Sequence, residues 1–250
     1  MKIAICGKGG CGKSAVTALL AKELARAGQK VLVVDVDESN YGLHCQLGVE
    51  LPKDFTAFFG GKQKVLNDMM LSNFAHRFFD GSWQLADIPE GYYSRKDGVM
   101  LMASGKIHEA NEGCSCPMNQ VIAQFIANLQ LAADEIALMD MEAGIEHFGR
   151  GVDNGVDAIL MIVDPSFESL RLSQKITELG QSISKPVYFV LNKVTDDCRE
   201  AMLSAVAGRE RVAAIVPADP VVAAAGLTGE ALTASYPEIR ALADRLIAGA

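Results

Sequence analysis

No stretch of this 250-residue chain approaches the roughly 20 consecutive apolar residues that a membrane span requires. The apolar run Met1 to Cys6 is too short for a secretory signal, and the glycines and lysine of Gly7 to Gly12 interrupt it, so a cytoplasmic protein is expected. Positive charge is scarce too. A formal net charge of -8 repels phosphate backbones and anionic lipid surfaces, so neither nucleic acid nor membrane is expected as a partner. The tail "YPEIRALADRLIAGA" carries only Arg240 and Arg245, too few for a basic amphipathic anchor. There is no internal repeat and no low-complexity tract. Six cysteines in such a chain are not expected as disulfides, because cytosolic thiols stay reduced and a core this large needs no cross-links. What the chain has in quantity is apolar residues, 50% against 22% charged. That is enough for one large core, and a single domain spanning 1–250 is expected.

Short apolar runs recur along it: "KIAIC" from Lys2, "VLVVD" from Val31, "VMLMA" from Val99, "IALMD" from Ile136, "AILMIVD" from Ala158, "VYFVL" from Val187 and "VAAIV" from Val212. Continuous rather than alternating apolarity marks strands buried on both faces, hence a parallel sheet. Between the first two runs, Val16, Leu19, Leu20 and Leu24 recur at helical spacing after Ser14, and Gly28 stands where a helix C-cap belongs. The expected fold is α/β, with a mostly parallel twisted sheet of about seven or eight strands flanked by helices. Several runs end in Asp35, Asp140, Asp164 or Asn192, and ligands of open α/β sheets bind beyond the carboxyl ends of the strands. The stretch Glu50 to Gly98 is less periodic and is expected to form helical fragments and loop.

"GKGGCGKS", Gly7 to Ser14, fits the G-x-x-x-x-G-K-[ST] phosphate loop and lies between an expected strand and an expected helix, as that motif requires. Gly7, Gly9, Gly10 and Gly12 let backbone N–H groups turn onto phosphate oxygens. Lys13 reaches the β and γ phosphates, Ser14 ligates Mg²⁺, and the helix N-terminus adds its positive end. Cys11 fills the variable slot and counts with Lys8 among the loop residues around the nucleotide; its side chain reads as a small packing residue, with a redox-sensitive thiol as the alternative. The second lysine, Lys8, makes the loop resemble the deviant phosphate-loop ATPases, a group including MinD, ParA and the nitrogenase iron protein. That resemblance implies a nucleotide-sandwich dimer in which Lys8 reaches the partner's phosphates. It also implies Asp37, in "DVDESN", as the group positioning the attacking water, with Asp35 near Mg²⁺. By the same likeness "DMEAGIEHFGRG" is a second switch, with Asp140 holding a magnesium-bound water and Gly144 swinging toward the γ-phosphate. Alone, each aspartate would read as a strand-end turn cap. Guanine-specific loops carry N-K-x-D, whereas "LNKVTDD" has Thr195 at the aspartate's place, which favours ATP and ADP. Resemblance then implies Asn192 at the adenine, with Pro217 and Asp219 of "VPADP" in the base pocket.

"GCSCPMNQ", Gly113 to Gln120, puts Cys114 and Cys116 ahead of Met118, Val121, Ile122, Phe125 and Leu129, an amphipathic helical pattern whose first turn suits Pro117. Thiols at a helix N-terminus are biased toward thiolate. A soft pair of this kind suits Zn²⁺, Ni²⁺ or an iron–sulfur cluster, and a tetrahedral site takes four ligands where one chain offers two. A two-fold homodimer supplies two plus two. "GCSCPM" beside "KGGCGKS" and "DMEAGIEHFGRG" resembles the CooC family over nearly the whole chain, including "IPEGYYSRKDGVMLMASGKIHEANEGCSCPMN". Those ATPases assist nickel insertion into carbon monoxide dehydrogenase. The resemblance implies Ni²⁺ or Zn²⁺ on Cys114 and Cys116 at a dimer interface, with carbon monoxide dehydrogenase, or a related acetyl-CoA synthase, as client. The nitrogenase iron protein is the nearest rival, but its second cysteine would fall just after the second switch, and Gly144 to Gly151 contains none. Cys6 reads as core, Cys45 and Cys198 as incidental, and His108 and His147 as surface histidines.

Overall fold

The computed structural model describes residues 1–108, 116–145, 148, 151 and 155–249. Alternation along each strand explains why the apolar runs are continuous. On β1 (Lys2–Gly7), Ile3 and Ile5 enter one core while Ala4 and Cys6 enter the other. On β2 (Lys30–Asp35), Val31 and Val33 side with the first, and Leu32 and Val34 with the second. A strand with cores on both faces has no solvent side to mark with polar residues. The other strands are β3 (Ser94–Lys96), β4 (Val99–Ala103), β5 (Glu135–Asp140), β6 (Ala158–Val163), β7 (Val187–Val194) and β8 (Val212–Pro217). Among the described residues they form one eight-stranded sheet in the order β3-β4-β2-β5-β1-β6-β7-β8. Every pairing is parallel except β3 with β4.

That exception was not among the expected strands. Asp97 and Gly98 both take positive φ, 49° and 82°, and turn a tight hairpin between β3 and β4. The rest of residues 50–98 matches the expectation of short helical pieces, with 3-10 turns at Phe55–Phe59 and Leu85–Asp87 and helix α3 (Lys62–Leu71). Phe55, fully buried, anchors this region by packing against Phe59, Phe79, Trp83 and Phe125.

Helices cover both faces. Helix α1 (Lys13–Arg26), α2 (Leu43–Leu47), α7 (Pro220–Thr228) and α8 (Pro237–Ala248) pack into one core. Helix α3, α4 (Cys116–Asn128), α5 (Phe167–Ser182) and α6 (Asp196–Ala205) pack into the other. Strand β1 lies between β5 and β6, so the loop leaving its carboxyl end opens at the middle of the sheet. Loops after β2, β5, β6 and β7 converge there. Among the described residues no helix is long and apolar enough to cross a membrane.

Candidate functional site

The loop from Gly7 to Gly12 carries the chain from β1 into α1, and its path depends on glycine. Gly12 sits at φ 96°, where a Cβ would stand 2.3 Å from Asn192 Nδ2. Gly7, at φ 148°, would drive a Cβ to 2.5 Å from the Ile162 carbonyl oxygen. A side chain is strained at both places by the positive φ, and at Gly7 it would also meet backbone that cannot move aside, whereas at Gly12 it would displace the Asn192 amide. From outside, β7 grips the same loop. Asn192 Nδ2 donates to the Cys11 carbonyl at 2.8 Å and Lys193 Nζ to the Gly10 carbonyl at 2.7 Å. Lys193 takes φ 60°, unusual for a side-chain-bearing residue, at a register irregularity between β7 and β8. The carbonyls of Gly10 and Cys11 are thereby tied back, and the Cys11 N–H closes a turn onto the Lys8 carbonyl at 3.2 Å, which leaves the glycine N–H groups for a ligand.

Above the loop lies a cleft of about 1020 Å³, ample for a nucleotide. It is lined by Gly9, Gly10, Gly12, Lys13, Ser14, Asp37, Asn192, Pro217 and Asp219, so most of the residues expected to touch nucleotide are brought together. Asp219 caps α7 by accepting from Val221 N–H at 2.6 Å, and the Tyr236 hydroxyl donates to it at 2.8 Å. These bonds, the one from Tyr236 first, hold its carboxyl below the usual carboxylate range. Cys11 is wholly buried, and burial pushes its thiol up to about 11.

At the cleft floor the Ser14 hydroxyl donates to Asp140 Oδ2 at 2.6 Å, and Thr17 Oγ1 lies 3.2 Å from Oδ1. Asp140 is completely buried, which raises its pKa, while the Ser14 bond works against that rise. Asn40, which the sequence reading passed over, donates from Nδ2 to Ser14 Oγ at 2.8 Å and faces Asp140 Oδ2 at 3.3 Å. Asp35 is the register neighbour of Asp140 on the adjacent strand. Its Oδ2 receives Lys106 Nζ at 2.6 Å, so this oxygen belongs to an ion pair rather than to a metal, while Oδ1 is buried with no hydrogen-bond partner. Burial pushes Asp35 up to about 7, against the pull of Lys106. The Ser14 hydroxyl, the Asp140 carboxylate and the orphaned Asp35 oxygen are hard donors of the kind Mg²⁺ takes, so the residues fit that ion. Among the described residues no cluster of three or more His, Cys, Asp or Glu side chains is placed to hold a metal by itself.

Two expectations, for Gly144 and Lys8, look different in place. Gly144 N–H donates to the Gly7 carbonyl at 3.1 Å, so it reaches a phosphate only if that bond breaks. Lys8 Nζ lies 3.7 Å from Asp164 Oδ2 at the end of β6, turned onto its own chain. Cys116 is exposed as the first residue of α4, whereas Cys114 and His147 lie outside the described residues. His108 Nε2 lies 2.7 Å from Asp54 Oδ2, an ion pair whenever the ring is protonated. Asp164 was expected only as one of the strand-end polar residues, and two features carry no sequence signal at all: Lys106, and the bond from Asn119 Nδ2 to Glu142 Oε1, 2.9 Å, which ties α4 to the segment after Asp140.

A glycine loop with its carbonyls tied back, a lysine and serine at the helix start and a buried aspartate on the serine define a phosphate-loop ATPase. Residues 2–232 match the CobQ/CobB/MinD/ParA nucleotide binding domain, and the chain belongs to that family. An uncharacterized ATP-binding protein of Methanocaldococcus jannaschii is 45% identical over 98% of this chain and 99% of its own. The carbon monoxide dehydrogenase accessory protein CooC of Rhodospirillum rubrum is 29% identical over 99% of this chain and 95% of its own. Among solved structures, the septum site-determining protein MinD of Pyrococcus horikoshii, complexed with Mg-ADP, superposes with a TM-score of 0.68 at 19% identity. That match covers 98% of this chain and 95% of the other, and it shows a shared fold.

Proposed function

We propose that this ATPase is a nucleotide-controlled metal carrier of the CooC kind, working as a homodimer. Cys114 and Cys116 of two copies provide four thiolates for Ni²⁺ or Zn²⁺ as cargo, and a carbon monoxide dehydrogenase or related acetyl-CoA synthase receives it. The observation that carries this reading is the position of Cys116. It is exposed at the first turn of α4, and three residues later Asn119 bonds Glu142, two residues past the site aspartate Asp140. Full-length similarity to CooC supports the same reading.

Hydrolysis follows from the residues in the cleft. Lys13 and the loop N–H groups hold the phosphates, and Asp37 orients a water in line with the γ-phosphorus. A bond from water oxygen to phosphorus forms as the bond to the bridging oxygen breaks, and ADP leaves with that electron pair. Ser14, with Asp140 and the Asp35 Oδ1 oxygen, would hold Mg²⁺, which would supply positive charge to offset that developing on the leaving oxygens. Lys8 of each copy leaves Asp164 and turns toward the other copy's phosphates. Asn192, Pro217 and Asp219 border the adenine.

Metal analysis of the purified full-length chain is the direct test. About one Zn²⁺ or Ni²⁺ per two chains is expected, lost in Cys114→Ser/Cys116→Ser while ATP binding persists. Unchanged metal content in that variant, or an iron and sulfide signal, sinks the carrier reading.

A further inference from the structure

Lys106 is a fully buried ammonium that the phosphate chemistry above does not use. Its side chain is 0% exposed and its partner Asp35 1%. Two of its three donor directions are accounted for, one by Asp35 Oδ2 at 2.6 Å and one by the Asp37 backbone carbonyl at 2.7 Å. The Tyr41 ring lies 5.9 Å away, within cation–π range. Buried ion pairs are poor stabilisers compared with apolar residues of the same volume, so one that is retained beside a reactive site calls for a positional reason.

Its neighbours supply one. The short segment after β4 is stitched to the segment after β2. Ser104 N–H donates to the Asp35 carbonyl, Ile107 N–H to the Glu38 carbonyl, and the Tyr41 hydroxyl to the Ile107 carbonyl. The same segment also seats α4. A Cβ on Gly105 would come within 2.4 Å of Met118 Sδ, two residues beyond Cys116. Residues 104–107 therefore touch the Asp37 loop on one side and the first turn of α4 on the other.

We propose that Lys106 is a positioning residue, a strut that sets the Asp37 backbone relative to the first turn of α4, so that occupancy at the cysteines and hydrolysis in the cleft sense each other. The second half of this inference rests on the metal-carrier reading; the first half does not. Coupling of this kind is reciprocal, so the factor by which nucleotide changes metal affinity equals the factor by which metal changes nucleotide affinity.

Two full-length variants test it. Lys106→Met keeps the stem and removes the charge, and Tyr41→Phe removes one hydroxyl from an exposed ring without threatening the fold. Lys106→Met should lower kcat for Mg-ATP hydrolysis by about tenfold or more with KM nearly unchanged, since the phosphate contacts are intact. The ratio of Zn²⁺ dissociation constants measured with ADP and with a non-hydrolysable ATP analogue should collapse toward one in both variants. Circular dichroism reports folding, and if Lys106→Met does not fold, Tyr41→Phe decides alone. Wild-type kcat in folded Lys106→Met, or a wild-type ratio in Tyr41→Phe, overturns the strut. Should the unmodified chain bind no Zn²⁺ at all, the carrier reading fails and the kcat of Lys106→Met still judges the positioning role.

Discussion

Cys11 and Cys116 are the same functional group in opposite surroundings. Cys11 is sealed under the phosphate loop, and burial, partly opposed by Lys13, pushes its thiol up to about 11. Cys116 stands exposed at a helix N-terminus. Because only thiolate attacks, alkylation of the native protein at pH 8 should label Cys116 early and leave Cys11 unmodified until denaturant is added, as read by peptide mass spectrometry. Early labelling of Cys11 would mean that its burial is wrong. The sign of the linkage is fixed as well. The native state holds the Cys11 proton more tightly than the unfolded chain, so this thiol contributes stability in full below about pH 8.5, lost as pH rises through about 11. The variable slot of a phosphate loop has little room, and the Cys11 side chain is buried there. The sequence could not show that Asn192 and Lys193 would grip the carbonyls of Gly10 and Cys11.

At the scale of elements, periodicity and caps were readable wherever the chain is regular. Helix α1 and helix α4 begin and end close to where apolar spacing, Pro117 and Gly28 put them. Strand β3 was missed although "KDGV" carries a hairpin signal, because three residues are too few to show alternation. Helix α8 illustrates how a distant element holds the site. It packs against α1, whose first turn carries Lys13 and Ser14, through Ile239 and Leu242, 0% and 1% exposed. Leu242→Ala should cost about 2–5 kcal/mol in denaturant unfolding, the range for a buried leucine that leaves a cavity. A loss well under 1 kcal/mol would show that this face is not closely packed.

For the whole molecule, charge on the surface matters less than where one lysine points. Lys8 is turned back onto Asp164 at 3.7 Å, a contact that two copies in sandwich geometry must break. Static light scattering should show a monomer-to-dimer shift on adding a non-hydrolysable ATP analogue, with Lys8→Ala staying monomeric at the same concentration. A dimer of undiminished strength in Lys8→Ala would remove that lysine from the interface. The sequence by itself determined the phosphate loop, the parallel sheet and the cysteine helix, because each is set by constraints within a few residues: glycine backbone freedom, apolar period and helix capping. Only the tertiary structure decided which carbonyls Asn192 binds across 181 residues and that Lys106 closes on Asp35 across 71, since such partners meet only through the order in which the strands assemble.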